Sequence, residues 1–257
     1  MDRAEAIALQ RRNLEGFVWM LAAGSERSTR FERDGVAASI VPACPGRSVL
    51  NSVVYRDAEA LDAALDELAA VYEGAGVLAW TVWVPGDEDE AANLLQGAGH
   101  HLDATPLAMT LELAALPAPE PDDLDWDNRA SAAEVGRVND LAYGFEAPTF
   151  GAAIARLPGE LPLRFYRARV DREPVCVVGT LDRGEDCGVY LVATLEGHRG
   201  RGLGRRLMHR ALADARERGL RSSTLQATRL GAPVYERLGY RAYGALEMWE
   251  RRNSPPA

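Results

Sequence analysis

Apolar residues along the 257-residue chain switch between helical and extended spacing, and the same order of elements occurs twice. Ile7, Leu14, Phe17, Val18 and Leu21 recur at helical spacing over 6–23, and Gly24-Ser25 closes that segment. Extended runs follow at 29–33, 36–41 and 49–55, the first two joined by Asp34-Gly35, a hairpin turn signal. Leu61, Leu65, Leu68 and Tyr72 share one face of an amphipathic helix over 58–72, ended by Gly74 and Gly76. A strand over 77–84 comes next. Acidic residues 87–90 open a helix that ends at Gly99, and a strand over 109–113 completes the first half.

Leu116-Pro-Ala-Pro-Glu-Pro121 carries three Pro in five residues, the composition of an extended connector. The pattern therefore predicts one domain over 1–115, a linker over 116–121 and a second domain over 122–257. In the second half, Ser131 and Glu134 form a capping-box pair that opens a helix to about Tyr143, followed by a shorter helix over 150–157. Strands are expected at 163–170, 175–181 and 188–195. The next helix places Leu203, Leu207, Ala211, Leu212 and Ala215 on one face and stops at Gly219. A strand over 222–227, a short helix over 232–238 and a strand over 245–251 end the chain. Each half thus reads strand, helix, Gly, strand, short helix and a Gly-aromatic pair, Gly99-His100 in one and Gly239-Tyr240 in the other. Internal duplication is the economical reading, and the predicted class is α/β (α+β).

Composition narrows the function. Hydrophobic and charged fractions of 47% and 26% are those of a globular protein. No apolar run reaches membrane-spanning length and the first residues lack a signal-peptide pattern, so a cytoplasmic protein without a membrane partner is expected. Cys44, Cys176 and Cys187 are scattered without metal-ligand spacing, so neither a metal nor a disulfide framework is expected. A net charge of −9 argues against nucleic acid as a partner. That charge is uneven: residues 1–121 hold 8 Arg against 19 acidic residues, the remainder 21 against 19. A polyanionic ligand fits the second half better, and the acidic first half points toward a cationic second substrate.

One stretch of the second half carries chemistry. After the apolar run 188–194, the sequence Arg199-Gly-Arg-Gly-Leu-Gly-Arg-Arg206 opens the next helix. A helix start leaves backbone N–H groups unpaired beneath the positive end of the helix dipole. Gly200, Gly202 and Gly204 let an anion approach them, while Arg199, Arg201, Arg205 and Arg206 add positive charge. This is a pyrophosphate cradle. A Walker loop needs a Lys after its last Gly, and the chain has no Lys; a dinucleotide fingerprint needs Gly where Leu207 stands.

The spacing resembles the acyl-CoA loop of the GCN5-related N-acetyltransferases (GNAT), Arg/Gln-x-x-Gly-x-Gly/Ala, filled here by Arg199, Gly202 and Gly204. That family also carries Tyr-x-x-x-Gly-Phe on a late short helix, matched by Tyr235 and Gly239-Tyr240 with Tyr for Phe. The resemblance covers roughly 122–252, and residues 1–115 by element order alone. It implies a GNAT fold: a mixed central sheet with splayed strands flanked by helices, here duplicated. It also implies acetyl-CoA as acyl donor, with backbone groups of Leu191, Val192 and Ala193 along the pantetheine. Arg199, Gly200, Arg201, Gly202, Leu203, Gly204 and Arg205 would lie around the pyrophosphate. An amine acceptor, of a small molecule, would attack the thioester directly in a ternary complex, and Tyr235 would protonate the leaving thiolate.

The general base stays open among Glu146, Glu185, Asp186 and a water relay, since Gly188–Thr194 offers only Tyr190 and Thr194; His198 could touch phosphate. No cysteine stands where a nucleophile would. At the position of the cradle the first half has Tyr55-Arg-Asp-Ala-Glu-Ala60, without Gly and with two carboxylates, as in a degenerate copy. Its expected role is to shape the acceptor pocket, to which Tyr55, Trp80 and Trp83 could contribute, in a monomer or homodimer. An acyl-CoA sensor that transfers nothing and a protein N-acetyltransferase are the rival readings.

Overall fold

A computed structural model describes residues 1–119, 123–145 and 148–253. Asp2 caps helix α1 (Arg3–Ala23), its carboxylate accepting the Glu5 N–H at 2.9 Å. Strands β1 (Thr29–Arg33) and β2 (Val36–Ile40) form the expected hairpin, with Gly35 at φ 78° in its turn. Then come β3 (Ser52–Tyr55), α2 (Ala58–Gly74), β4 (Ala79–Pro85), α3 (Asp89–Gly97), β5 (His101–Ala104) and β6 (Leu107–Glu112). The second half contains β7 (Asp125–Asp127), α4 (Ala132–Ala142), α5 (Phe150–Ala153), β8 (Leu163–Val170), β9 (Glu173–Arg183) and β10 (Asp186–Thr194). It ends with α6 (Leu203–Glu217), β11 (Ser222–Ala227), α7 (Ala232–Glu236) and β12 (Arg241–Arg252). The capping box of α4 is present in full.

The described strands join in one mixed sheet, in the order β1-β2-β3-β4-β12-β6-β11-β10-β9-β8-β7, with β5 also against β12. Its middle shows a reciprocal exchange. β6, the last strand of the first half, lies antiparallel to β11 from Ser222↔Glu112 to Ala227↔Leu107. β12, the last strand of the second half, lies antiparallel to β4 from Leu246↔Pro85 to Arg252↔Ala79. Each half's sheet is completed by the other's final strand.

Helices cover this sheet through the apolar faces that their spacing encodes. Leu61, Leu65, Leu68 and Tyr72 of α2 pack with Trp80, Val82 and Ile40. Leu207, Met208, Ala211 and Leu212 of α6 pack with Tyr166, Val178 and Val189. A third core forms where α1 crosses the junction of the halves, with Leu14, Phe17 and Leu21 against Val135, Val177, Tyr190 and Met248. Each Leu, Val, Ile, Phe or Met among them contributes about 1.5–3 kcal/mol by leaving water. The Pro-rich segment begins inside the fold: Leu116 is buried and the Pro117 carbonyl accepts a bond from His209 Nε2 at 2.7 Å.

Candidate active site

The sheet opens between β10 and β11. These parallel strands pair only from Asp186↔Ser222 to Gly188↔Thr224, and beyond Gly188 they part. On its other edge β10 shifts register against β9 between Tyr190 and Ala193. Leu191 sits in that bulge at φ 53°, a left-handed conformation unusual for a branched side chain. Asn139 of α4 braces it, donating from Nδ2 to the Leu191 carbonyl at 3.1 Å and to the Val135 carbonyl at 2.9 Å. The bulge and the parted strands leave Leu191 and Val192 half-buried, beside Ala193 paired to Val177.

The chain leaves β10 through a short 3-10 turn, Glu196–His198, and enters α6. Gly200 and Gly202 both have φ 74°, and Gly202 is the N-cap residue without any side-chain cap. A Cβ at either position would meet nothing within 4 Å, so backbone conformation and not space is what requires glycine there. Among the described residues, the N–H groups of Gly200, Arg201, Gly202, Leu203 and Gly204 have no backbone acceptor. Gly200, Gly202, Leu203 and Gly204 border a cavity of about 490 Å³ lined also by Thr194, Arg199, Arg205, Leu230, Val234 and Arg237. An anion cradle with an apolar flank is the chemical description, and it fits a pyrophosphate joined to a less polar chain.

The arginines differ in their engagements. Arg199 does not face this space alone: its Nε donates to the Thr194 carbonyl at 3.1 Å and its NH2 to the Ala142 carbonyl at 2.5 Å. It ties the end of β10 to the end of α4. Arg201 meets His198 Nδ1 at 3.2 Å, and Arg206 pairs with Asp123 at 3.3 Å.

Helix α7 separates this cradle from a second cavity of about 330 Å³, with Val234 facing the first and Tyr235 the second. The Tyr235 hydroxyl makes no hydrogen bond among the described residues, and burial, with Tyr143 and Cys176 nearby, raises its pKa well above that of a free phenol. The second cavity spans both halves of the chain. Leu191, Val192 and Leu225 come from the splay, Phe17 from α1, Trp83 from β4 and Met248 from β12. Phe17 stacks on Tyr190 at 4.3 Å with an interplanar angle of 9°. Trp83 is thus a wall of this cavity, whereas Trp80 is core against Tyr72 and His100.

Beneath Tyr190 lies a polar network that sequence reasoning missed. Tyr190 donates its hydroxyl to Asn13 Oδ1 at 3.1 Å, and Asn13 donates from Nδ2 to Asp186 at 2.7 Å. Ser222 and Thr224 each add a 2.7 Å bond to the same carboxylate. Asp186 is therefore buried at the root of the splay, and burial raises its pKa despite these donors. Glu185 is exposed beside Arg221, away from both cavities, and Glu146 lies outside the described residues.

The first half repeats the splay without the cradle. β3 and β4 pair only at Ser52↔Thr81 and Val53↔Val82. At the start of α2, Asp57 accepts the Ala60 N–H at 2.9 Å and Arg56 pairs with Asp34 and Asp57. The helix start is filled by the chain's own carboxylate.

Comparison with known proteins agrees with this geometry. The family model of the acetyltransferase (GNAT) domain matches residues 162–242. No curated protein matches the chain. Its fold is similar to that of a GCN5-related N-acetyltransferase from Kribbella flavida, with 19% identity, a TM-score of 0.67 and 95% and 96% of the two chains covered. A GCN5-related N-acetyltransferase from Sphaerobacter thermophilus gives 16% identity and 0.61 over 100% and 95%. A tandem GNAT protein from the clavulanic acid biosynthesis pathway gives 14% and 0.56 over 86% and 79%. Residues 162–242 thus match the acetyltransferase (GNAT) domain, and the fold of the chain is similar to those of GCN5-related N-acetyltransferases.

Proposed function

We propose that the chain is an acetyl-CoA-dependent N-acetyltransferase acting on a primary amine of a small molecule by direct attack in a ternary complex. The observation that carries this reading is the position of α7, which stands between an anion cradle and an aromatic cavity and presents an unbonded phenol to the latter. Acetyl-CoA supplies the activated acyl group. The N–H groups from Gly200 to Gly204 hold its pyrophosphate, with Arg201 and Arg205 adding charge. Arg199 braces the loop with two of its five N–H donors and also lines the cradle. The strand edge at Leu191, Val192 and Ala193 aligns the pantetheine as an added strand would be aligned. Burial keeps Tyr235 protonated, so its hydroxyl is available as a proton donor to the departing thiolate.

In this reading the first half is a degenerate copy over 1–115, joined by the segment 116–121 to the transferase unit over 122–257, and its task is to build the acceptor wall through Phe17 and Trp83. Among the described residues no helix is long and apolar enough to cross a membrane, which is compatible with a cytoplasmic enzyme. A non-catalytic acyl-CoA sensor is the second reading, favoured by the absence of Asp, Glu and His from the described lining of the aromatic cavity. Turnover separates them. With an amine that releases CoA, Tyr235→Phe is expected to lower kcat by about 10²–10⁴-fold while leaving acetyl-CoA affinity within twofold. Acetyl-CoA binding without CoA release against any amine would establish the sensor.

A further inference from the structure

The acceptor cavity is unusual in what it lacks. Its described walls contain apolar and aromatic side chains such as Phe17, Trp83, Phe150, Val192, Leu225 and Met248, and no Asp, Glu, His or Arg. Its polar groups are turned to other partners: Trp83 donates to Ser52 at 3.0 Å, Gln226 to Gln10 at 2.8 Å and Asn139 to Leu191. Only the phenols of Tyr143 and Tyr235 are without a hydrogen bond among the described residues.

Charged groups on the adjoining elements α4 and β10 are also unhelpful to a cation. Asp140 is spent on the Phe150 and Gly151 N–H groups at 2.7 and 3.1 Å, and Asp186 lies behind Asn13 with three donors. Arg199 is tied to the Ala142 carbonyl beside Tyr143, and Arg47 lies 4.1 Å over the Phe145 ring; both repel an ammonium. Glu146 lies outside the described residues. Bringing an unpaired ammonium into such a space costs several kcal/mol. Aromatic rings could hold it, yet a held ammonium has no lone pair and meets no described group that would take its proton.

Resting on the acetyltransferase reading, we propose that the acceptor is an apolar amine uncharged near neutral pH, an aryl amine above all. Protons then balance without a dedicated base. The nitrogen lone pair forms the C–N bond as the C–S bond breaks, Tyr235 gives its proton to the departing thiolate, and the proton lost by nitrogen returns to Tyr235. An alkylammonium carries one proton more, which has nowhere to go within the cavity.

CoA release by the full chain, measured with ring-matched anilines and phenylethylamines from pH 6 to 8, tests this. Near pH 7 an alkyl amine of lysine-like basicity is neutral in roughly one molecule in 10³. The expected result is aniline turnover with a flat pH profile and a kcat/KM at least ~10-fold above the phenylethylamine at pH 7. The phenylethylamine rate should rise about tenfold per pH unit. A phenylethylamine preferred at pH 7, a flat profile for it, or inert anilines on a protein that binds acetyl-CoA would overturn the acceptor class while leaving the transferase reading in place. Failure to bind acetyl-CoA in a parallel titration would remove both.

Discussion

Single side chains in this protein divide sharply between those that hold the site and those that hold the fold. In the proposed site Tyr235 belongs to the first kind and Arg199 to both, whereas His100 belongs to the second. His100 is buried edge-on to Trp80 at 4.5 Å with both ring nitrogens unpartnered among the described residues. Burial, aided by the Arg251 charge, lowers its pKa to about 4. An unfolded histidine titrates near 6.5, so the unfolded chain gains a proton first as pH falls. Stability due to this residue is therefore complete above about pH 6.5 and is lost progressively down to about pH 4. His100→Phe keeps a ring against Trp80 and removes the titration. Thermal melts should show it raising Tm more at pH 5 than at pH 7.5, by an amount corresponding to about 1–2 kcal/mol. An equal shift at both pH values would mean that His100 is already paired or charged in the native state.

At the scale of elements, the bulge in β10 is the feature on which the site depends. Its left-handed Leu191 is held by one buried side chain, Asn139, which is 1% exposed. Asn139→Leu keeps the branched four-atom side chain and leaves the Leu191 carbonyl without that donor. Denaturant titration should find a loss of about 1–3 kcal/mol, and acetyl-CoA affinity should fall with it as the strand edge loses its shape. Unchanged affinity would show that the bulge does not align the donor.

Elements with buried faces were legible in the sequence. The strands Leu163–Val170 and Ser222–Ala227 begin and end where the apolar pattern placed them, and so does the α4 capping box; the edge strand Thr29–Arg33, with only Phe31 buried, was marked by the Asp34-Gly35 turn. β5 and β7 were missed because they are largely exposed edges, with His101, Leu102 and Asp103 open to solvent and no alternation to read. The run at Val49–Leu50 has strand character in composition but forms a 3-10 turn, Ser48–Leu50, where Asn51 bonds the backbone carbonyls of Cys44 and Arg47. α5 stops at Ala153, four residues before the pattern suggested. The cradle was readable because Gly and Arg lie within eight consecutive residues. The aromatic cavity was not, because Phe17, Trp83, Tyr190 and Met248 meet only through long-range pairing.

For the whole molecule, exchange of β6 and β12 makes the halves mutually dependent. A chain of residues 123–257 alone would expose the edge of β11 that β6 covers and lack the α1 side chains that bury Tyr190. The full chain should melt in one transition, and residues 123–257 should be unfolded or aggregated by circular dichroism until residues 1–119 are added. A folded, monomeric 123–257 would show that the exchange is dispensable. Calorimetric titration of acetyl-CoA into the full chain is the most direct test of the central claim. Beside it, Gly202→Val forces a branched residue to φ 74°, a strain of about 1–3 kcal/mol confined to the cradle. One site per chain, thermal stabilisation by saturating acetyl-CoA, and a loss of at least ~100-fold in affinity for Gly202→Val in a protein that remains folded are the expected results. No binding heat with the wild-type chain, or undiminished affinity in the variant, would contradict the claim.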